Sequence, residues 1–178
     1  MKKLLYVILI IIASMMTAAF SQVTKTGTTA AKFLSIGVGP RAIAMGGAFT
    51  SVTGDVSALY WNPACAASLT DYQAMFTRTN LFRDLDINLN YLALVVPAGR
   101  LGNFGLSVTA LDYGDMDVTT EYYEEGTGER FSASSYAFAL SYARVITEDF
   151  AAGVTVKYVR ENILNSSADG VGFDIGTV

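Results

Sequence analysis

The sequence predicts an all-β protein: an antiparallel transmembrane β-barrel, present as about six N-terminal strands, preceded by a Gly/Ala-rich plug. Three observations predict it. Met1 to Ser21 reads as an export signal. The segment Ile36 to Ala67 that follows is rich in Gly and Ala and nearly uncharged. From Tyr72 onward, bulky apolar residues alternate with small or polar ones, as in strands that face lipid on one side only.

The export signal has three parts. Lys2 and Lys3 form a short positive region, Leu4 to Ile12 is an unbroken apolar run, and Ala19-Phe20-Ser21 supplies small residues for cleavage before Gln22. An uncleaved anchor is the alternative, because Leu4 to Phe20 almost reaches the shortest spanning length. Ser14, Thr17 and the Ala18-Ala19 pair lower its hydrophobicity and favour cleavage. No Cys stands at the cut, which argues against a lipoprotein. The expected organisation is a signal peptide over 1–21, a plug or hatch over 22–69, and the N-terminal part of an outer-membrane barrel over 70–178.

The mature chain would have about 157 residues and a net charge of about −6. An acidic exported chain is a poor nucleic-acid binder, since that affinity rests on neutralising phosphates. After the signal no apolar run is long enough for a spanning helix. The chain has no His, which removes Ser-His-Asp, Cys-His and the usual zinc constellations. Cys65 is the single cysteine, so it forms no internal disulfide and builds no metal site. The expectation is a protein that is not an enzyme and carries no metal or cofactor.

The plug segment Phe33 to Leu69 has no clean period. Pro40 and Pro63 exclude a long helix, and short helical turns are expected near Ala42 to Phe49 or Ser57 to Trp61. Gln22 to Lys32 is Thr-rich and reads as extended or mobile. Gly37-Val38-Gly39-Pro40-Arg41-Ala42 fits the loose Gly-x-Gly-x-x-Ala dinucleotide fingerprint, but no buried strand precedes it and Pro40 interrupts it. Close packing of plug backbone against the barrel wall is the better account of these glycines. Arg41 and Asp55 are the charged residues within the core of the plug. They are expected to pair with polar wall residues or with each other, the alternative being contact with a ligand such as a carboxylate head group. Pro63 pushes Asn62 toward extended geometry, and the Asn62 side chain can shape a turn by bonding nearby backbone.

Six segments read as strands: Tyr72 to Thr79, Ile87 to Pro97, Asn103 to Leu111, Phe131 to Val145, Phe150 to Arg160 and Gly170 to Val178. In the fourth, Tyr136, Phe138, Leu140 and Tyr142 share one face, while Ser135, Ala137, Ala139, Ser141 and Ala143 share the other. The third and fifth repeat the pattern. Tyr91, Phe104, Tyr136, Tyr142, Phe150 and Tyr158 lie near strand ends and are expected in interfacial girdles. A secreted sandwich would also alternate, with its bulky face inward. The uncharged bulky faces favour lipid. Connections at 98–102 and 146–149 are short, whereas Leu81 to Asp86, Asp112 to Arg130 and Glu161 to Asp169 are longer, which predicts alternating periplasmic turns and extracellular loops. Six strands fall short of the minimum of about eight for such a barrel, so the chain is expected to be the N-terminal part of a longer protein.

The acidic stretch Gly114 to Glu129 reads as a solvated loop. A partner contact through Asp115, Asp117, Tyr122, Tyr123 and Glu124 is one reading of it. A calcium site is another, though the spacing does not match an EF-hand loop.

The residues Arg41-Ala42, Met45-Gly46-Gly47-Ala48-Phe49, Asp55 and Ala58-Leu59-Tyr60-Trp61-Asn62-Pro63-Ala64 form one long motif. It resembles the N-terminal segment of the PorV/PorQ family, within the FadL-like outer-membrane proteins. The resemblance is sharp over about thirty residues and pattern-level beyond. It implies a barrel of about fourteen strands in the outer membrane of a Gram-negative-type bacterium, against the minimum of about eight. It implies association with type IX protein secretion, as a component that holds or shuttles cargo. The FadL side of the resemblance implies instead a channel for hydrophobic small molecules, with Asn62, Pro63 and Ala64 as its gate. A third reading, apart from the resemblance, is a structural barrel that binds partners through its loops and has no transport role. The expected partners are outer-membrane lipid and either secretion components, secreted cargo or a hydrophobic small molecule. The family usually has Gly where this chain has Cys65, so a turn needing positive φ would be strained here.

Overall fold

The computed structural model describes residues 30–118, 123, 127–164 and 166–178. The signal segment, Tyr122 and Glu124 therefore lie outside the described residues.

Six antiparallel strands form one up-and-down sheet in the order of the chain. They are β1 (Gln73–Phe82), β2 (Ile87–Pro97), β3 (Asn103–Asp117), β4 (Arg130–Thr147), β5 (Phe150–Ile163) and β6 (Ser166–Thr177). The fold is all-β and barrel-like, and no described helix is long and apolar enough to cross a membrane. Among the described residues β1 and β6 each have one strand neighbour.

The two faces of the sheet invert the usual soluble order. In β4, Phe138 is 52% exposed, whereas Ala137 beside it is 3% exposed. The cross-strand register aligns these outward residues into rows. One row runs Phe76, Leu92, Val108, Phe138, Tyr158, Val171, and the next runs Leu94, Leu106, Leu140, Val156, Phe173. The rows make a continuous apolar belt across all six strands. Directly opposed side chains of this kind are the stabilising unit of a sheet. The interval from Ser134 to Arg144, the polar residues that bound the belt on β4, is about the nine to eleven residues a tilted spanning strand needs.

The inward face carries Ser107, Thr109, Ser135, Ser141 and Thr155 with Ala93, Ala137 and Ala143, all buried. Ser141 and Thr155 exchange a hydrogen bond between hydroxyls of 2.6 Å, so neither buried hydroxyl is left unpaired. What buries this face is the segment from Ala31 to Leu69. It is built from 3-10 turns at Lys32–Ser35 and Pro63–Ser68 and the short helices α1 (Pro40–Ala44) and α2 (Ala58–Trp61). Both expected helical turns are present.

Several expectations need correction. Tyr91 points inward and is buried against the 31–69 segment, not outward in a girdle. Its inward neighbours in the chain, Leu89 and Ala93, share its period-two parity, and parity overrides the general preference of tyrosine for interfaces. The alternation of short and long connections fails. β5 and β6 extend to Ile163 and from Ser166, which leaves a tight turn where a long loop was expected. β3 likewise continues to Asp117, and β4 starts at Arg130. Polar residues beyond the belt do not end a strand, because the backbone ladder is indifferent to which medium the side chains meet.

Candidate functional site

Two regions hold the residues the sequence singles out: the seat of the plug and the acidic β3–β4 hairpin.

The seat is organised by Asn62. Its backbone is extended (φ −159°), as the following proline requires, and it separates α2 from the Pro63–Ser68 turn. Its side chain is fully used. Asn62 Nδ2 donates to Thr50 O at 2.8 Å and to Thr177 O at 3.1 Å, while Ala64 N donates to Asn62 Oδ1 at 3.0 Å. One amide thus ties the 50s loop, its own turn and strand β6. Asn62 is 6% exposed, and Pro63 and Ala64 are buried with it.

The wall receives this turn through glycines. A Cβ on Gly153 of β5 would lie 2.5 Å from Ala64 N and 2.6 Å from the Pro63 carbonyl carbon. A Cβ on Gly176 of β6 would overlap Asn62 Oδ1, and one on Gly105 of β3 would overlap the Leu59 methyls. The close approach of plug and wall therefore depends on strand glycines, and this corrects the expectation placed on Gly37 and Gly39. Those two face the plug's own side chains, Gly37 against Trp61 and Gly39 against Ser57. At Gly39 (φ +86°) the backbone also favours glycine.

Further fasteners surround the turn. Asn103, the first residue of β3, donates from Nδ2 to Ala66 O and Leu69 O, both at 2.7 Å, and so closes the end of the Pro63–Ser68 turn. Tyr60 Oη lies 2.6 Å from Leu34 O and 2.8 Å from Ile36 O. Burial pushes the Tyr60 phenol up to about 12, so it stays a donor at physiological pH. Trp61 Nε1 donates to Val38 O at 3.1 Å. Cys65 sits in the 3-10 turn without positive φ, which removes the strain expected there. Its buried thiol lies 3.4 Å from Thr50 O, and burial raises its pKa.

Arg41 and Asp55 do pair, with Arg41 Nη1 3.6 Å from Asp55 Oδ2. The pair is not in the plug core, however, because the Arg41 side chain is 61% exposed. Its guanidinium also stands 5.7 Å from the Phe49 ring centroid. Asp55 has the firmer local role: its Oδ1 accepts from Ser57 N at 2.8 Å and Ser57 Oγ at 2.7 Å, just before α2. On the inner face beside Asn62, Lys157 and Asp174 form an ion pair. Among the described residues, Tyr91 Oη is the buried side-chain polar atom without a partner, and Ser107 lies near it but outside hydrogen-bonding geometry.

The second region is an extension of β3 and β4 past the belt. A register shift occurs between Asp112 and Asp115, where Gly114 takes φ +68°. Asp115 and Asp117 are exposed, and Arg130 Nε bonds Asp117 Oδ1 at 3.0 Å. Backbone bonds between Val118 and Glu129 and between Thr127 and Val118 continue the pairing. Tyr123 is exposed. Among the described residues no group of carboxylates is arranged to hold a metal ion.

Sequence reasoning missed Asn103, Gly105, Gly153 and Gly176. The glycines carried a readable signal, for they occupy inward positions of strands where alternation calls for a small residue. Nothing in the sequence told which inward small residue would be a seat.

A family model described as type IX secretion system protein PorV matches residues 19–177. No curated protein matches the chain significantly.

Proposed function

The chain belongs to the PorV family of type IX secretion system proteins, and from that premise we propose that it works in the outer membrane as a barrel that holds or shuttles secreted cargo. Its working surface is the acidic β3–β4 hairpin, with Asp115 and Asp117 as partner contacts and the plug as a fixed stopper. The proposal includes export by a signal cleaved before Gln22, a plug over 22–69 and wall strands over 70–178. It is a non-enzymatic reading.

The observation that carries it is the inverted sheet. An apolar belt on the open face, opposite a polar face sealed by a plug, is stable where the outer medium is lipid and costly where it is water. Open strand edges are not tolerated in hydrocarbon, so β1 and β6 need further strands beside them in the membrane. The choice of the hairpin over the plug rests on Asn62. Its amide makes three bonds and lies against strand glycines, which fastens the turn to the wall. A FadL-like channel gated by Asn62, Pro63 and Ala64 draws no support from the family match and is disfavoured by that fastening.

The deciding experiment uses the full-length protein in its own host. One variant shortens the 112–130 hairpin, and a second replaces Asn62 with Ala. Secretion of type IX cargo and uptake of a hydrophobic solute are measured in both. Shortening the hairpin is expected to impair secretion and leave uptake unchanged. A large uptake defect in Asn62→Ala, with normal secretion and normal barrel abundance, would reverse the assignment.

A further inference from the structure

At the end of the sheet that carries the 148–149 turn, the outer face changes character. β4 runs on from Tyr142 to Arg144, which stands directly opposite Ala152 of β5. Both share the outward parity of Tyr142 and Val154. Because Ala152 is small, an open groove of about 500 Å³ remains between Tyr142, Arg144 and Ile146 on one side and Val154 on the other. The groove is continuous with the apolar belt and has one guanidinium at its mouth.

A second arginine, Arg100, lies on the turn next to this rim. Tyr142 Oη donates to Leu101 O, which pins the 3-10 turn Gly99–Leu101 beside β4. A Cβ on Gly102 would come within 3.2 Å of Arg144 Cβ, so the turn and Arg144 are neighbours. Arg100 and Arg144 are both exposed. Arg41, Arg130, Lys157 and Arg160 each stand against a carboxylate. Among the described residues, Arg100 and Arg144 have no such partner, as is also true of Lys32 and of Arg78, whose Nε meets the Asn88 amide oxygen instead.

An unpaired guanidinium at the polar edge of a greasy groove suits a phosphodiester whose acyl chains lie along the belt. We propose that this rim is a seat for an anionic phospholipid, with acyl chains on Tyr142 and Val154 and the phosphate held by Arg144 and Arg100. A bare phosphate would leave the apolar walls unused, which is why the lipid is the occupant. The inference rests on the outer-membrane reading above.

The test titrates dioleoylphosphatidylglycerol into the detergent-solubilised full-length protein and counts retained lipid by native mass spectrometry. Arg144→Gln and Arg100→Gln should each weaken retention about fivefold, and the double variant about thirtyfold. Arg78→Gln, at the opposite end of the belt, should match the wild type. Equal retention by wild type and double variant would overturn the seat, as would full displacement of the lipid by an equal concentration of inorganic phosphate. Membrane fractionation of the same variants separates the two failures. A wild-type protein found soluble without detergent defeats the barrel reading itself. A membrane-inserted protein whose lipid retention ignores both arginines defeats only this site.

Discussion

The two faces of strands β3 to β6 are made by alternate residues of the same strands, yet they obey different rules. On the outer-membrane reading proposed above, the outer face tolerates any bulky apolar side chain because its neighbour is fluid lipid, and Leu106, Phe138, Leu140 and Val156 differ in shape while sharing hydrophobicity. The inner face is read one atom at a time. Gly105, Gly153 and Gly176 each receive a particular plug residue, and Asn103 closes a particular turn. The open apolar face is thus specified by transfer free energy, and the face covered by residues 31–69 by shape and hydrogen bonds.

The contrast can be broken most forcefully on the outer face by charge. Phe138→Arg places a cation near the middle of the belt and should cost about 2–4 kcal/mol of barrel stability in the full-length protein. The measurement is urea unfolding in lipid vesicles, and a cost near zero would mean the belt faces water. On the inner face, added volume should do what charge does outside. Gly153→Val meets plug backbone that cannot swing away, with a cost of about 1–3 kcal/mol. Protease cleavage between Asn62 and Leu69 should then rise as the plug lifts, and unchanged protection would show that Gly153 is no seat. The smallest effect sharpens the rule. Ala139→Ser adds one hydroxyl on the inner face opposite Ser107 and should stay within about 0.5 kcal/mol of wild type. A loss as large as that of Gly153→Val would mean that the whole inner face, and not only its glycines, is packed to the plug.

The hairpin and the plug differ in how far the sequence disclosed them. The strands of the belt were legible because period two is a local property: Tyr136, Phe138, Leu140 and Tyr142 declare their shared face without reference to any other strand. The plug residues Asn62, Pro63 and Ala64 were legible as a motif, and their extended-then-turn geometry followed from proline. Their partners were not. Thr177 lies 115 residues from Asn62, and the bond between them depends on β6 closing the register of five antiparallel pairs. Tyr91 is a different case: residue type pointed outward, while the period-two parity it shares with Leu89 and Ala93 turned it inward against Tyr60.

By itself, then, the sequence determined most of the strand faces, the count of six strands and the irregular character of the segment before them, all of which follow from side-chain period and backbone chemistry over a few residues. Tertiary structure alone decided where β5 and β6 turn, which glycines are seats, that Arg41 lies at the surface while Asn62 is locked, and which arginines remain unpaired at the rim. Each of these depends on what long-range register brings within a few ångströms, and that distance is a property of the assembled sheet rather than of any segment in it.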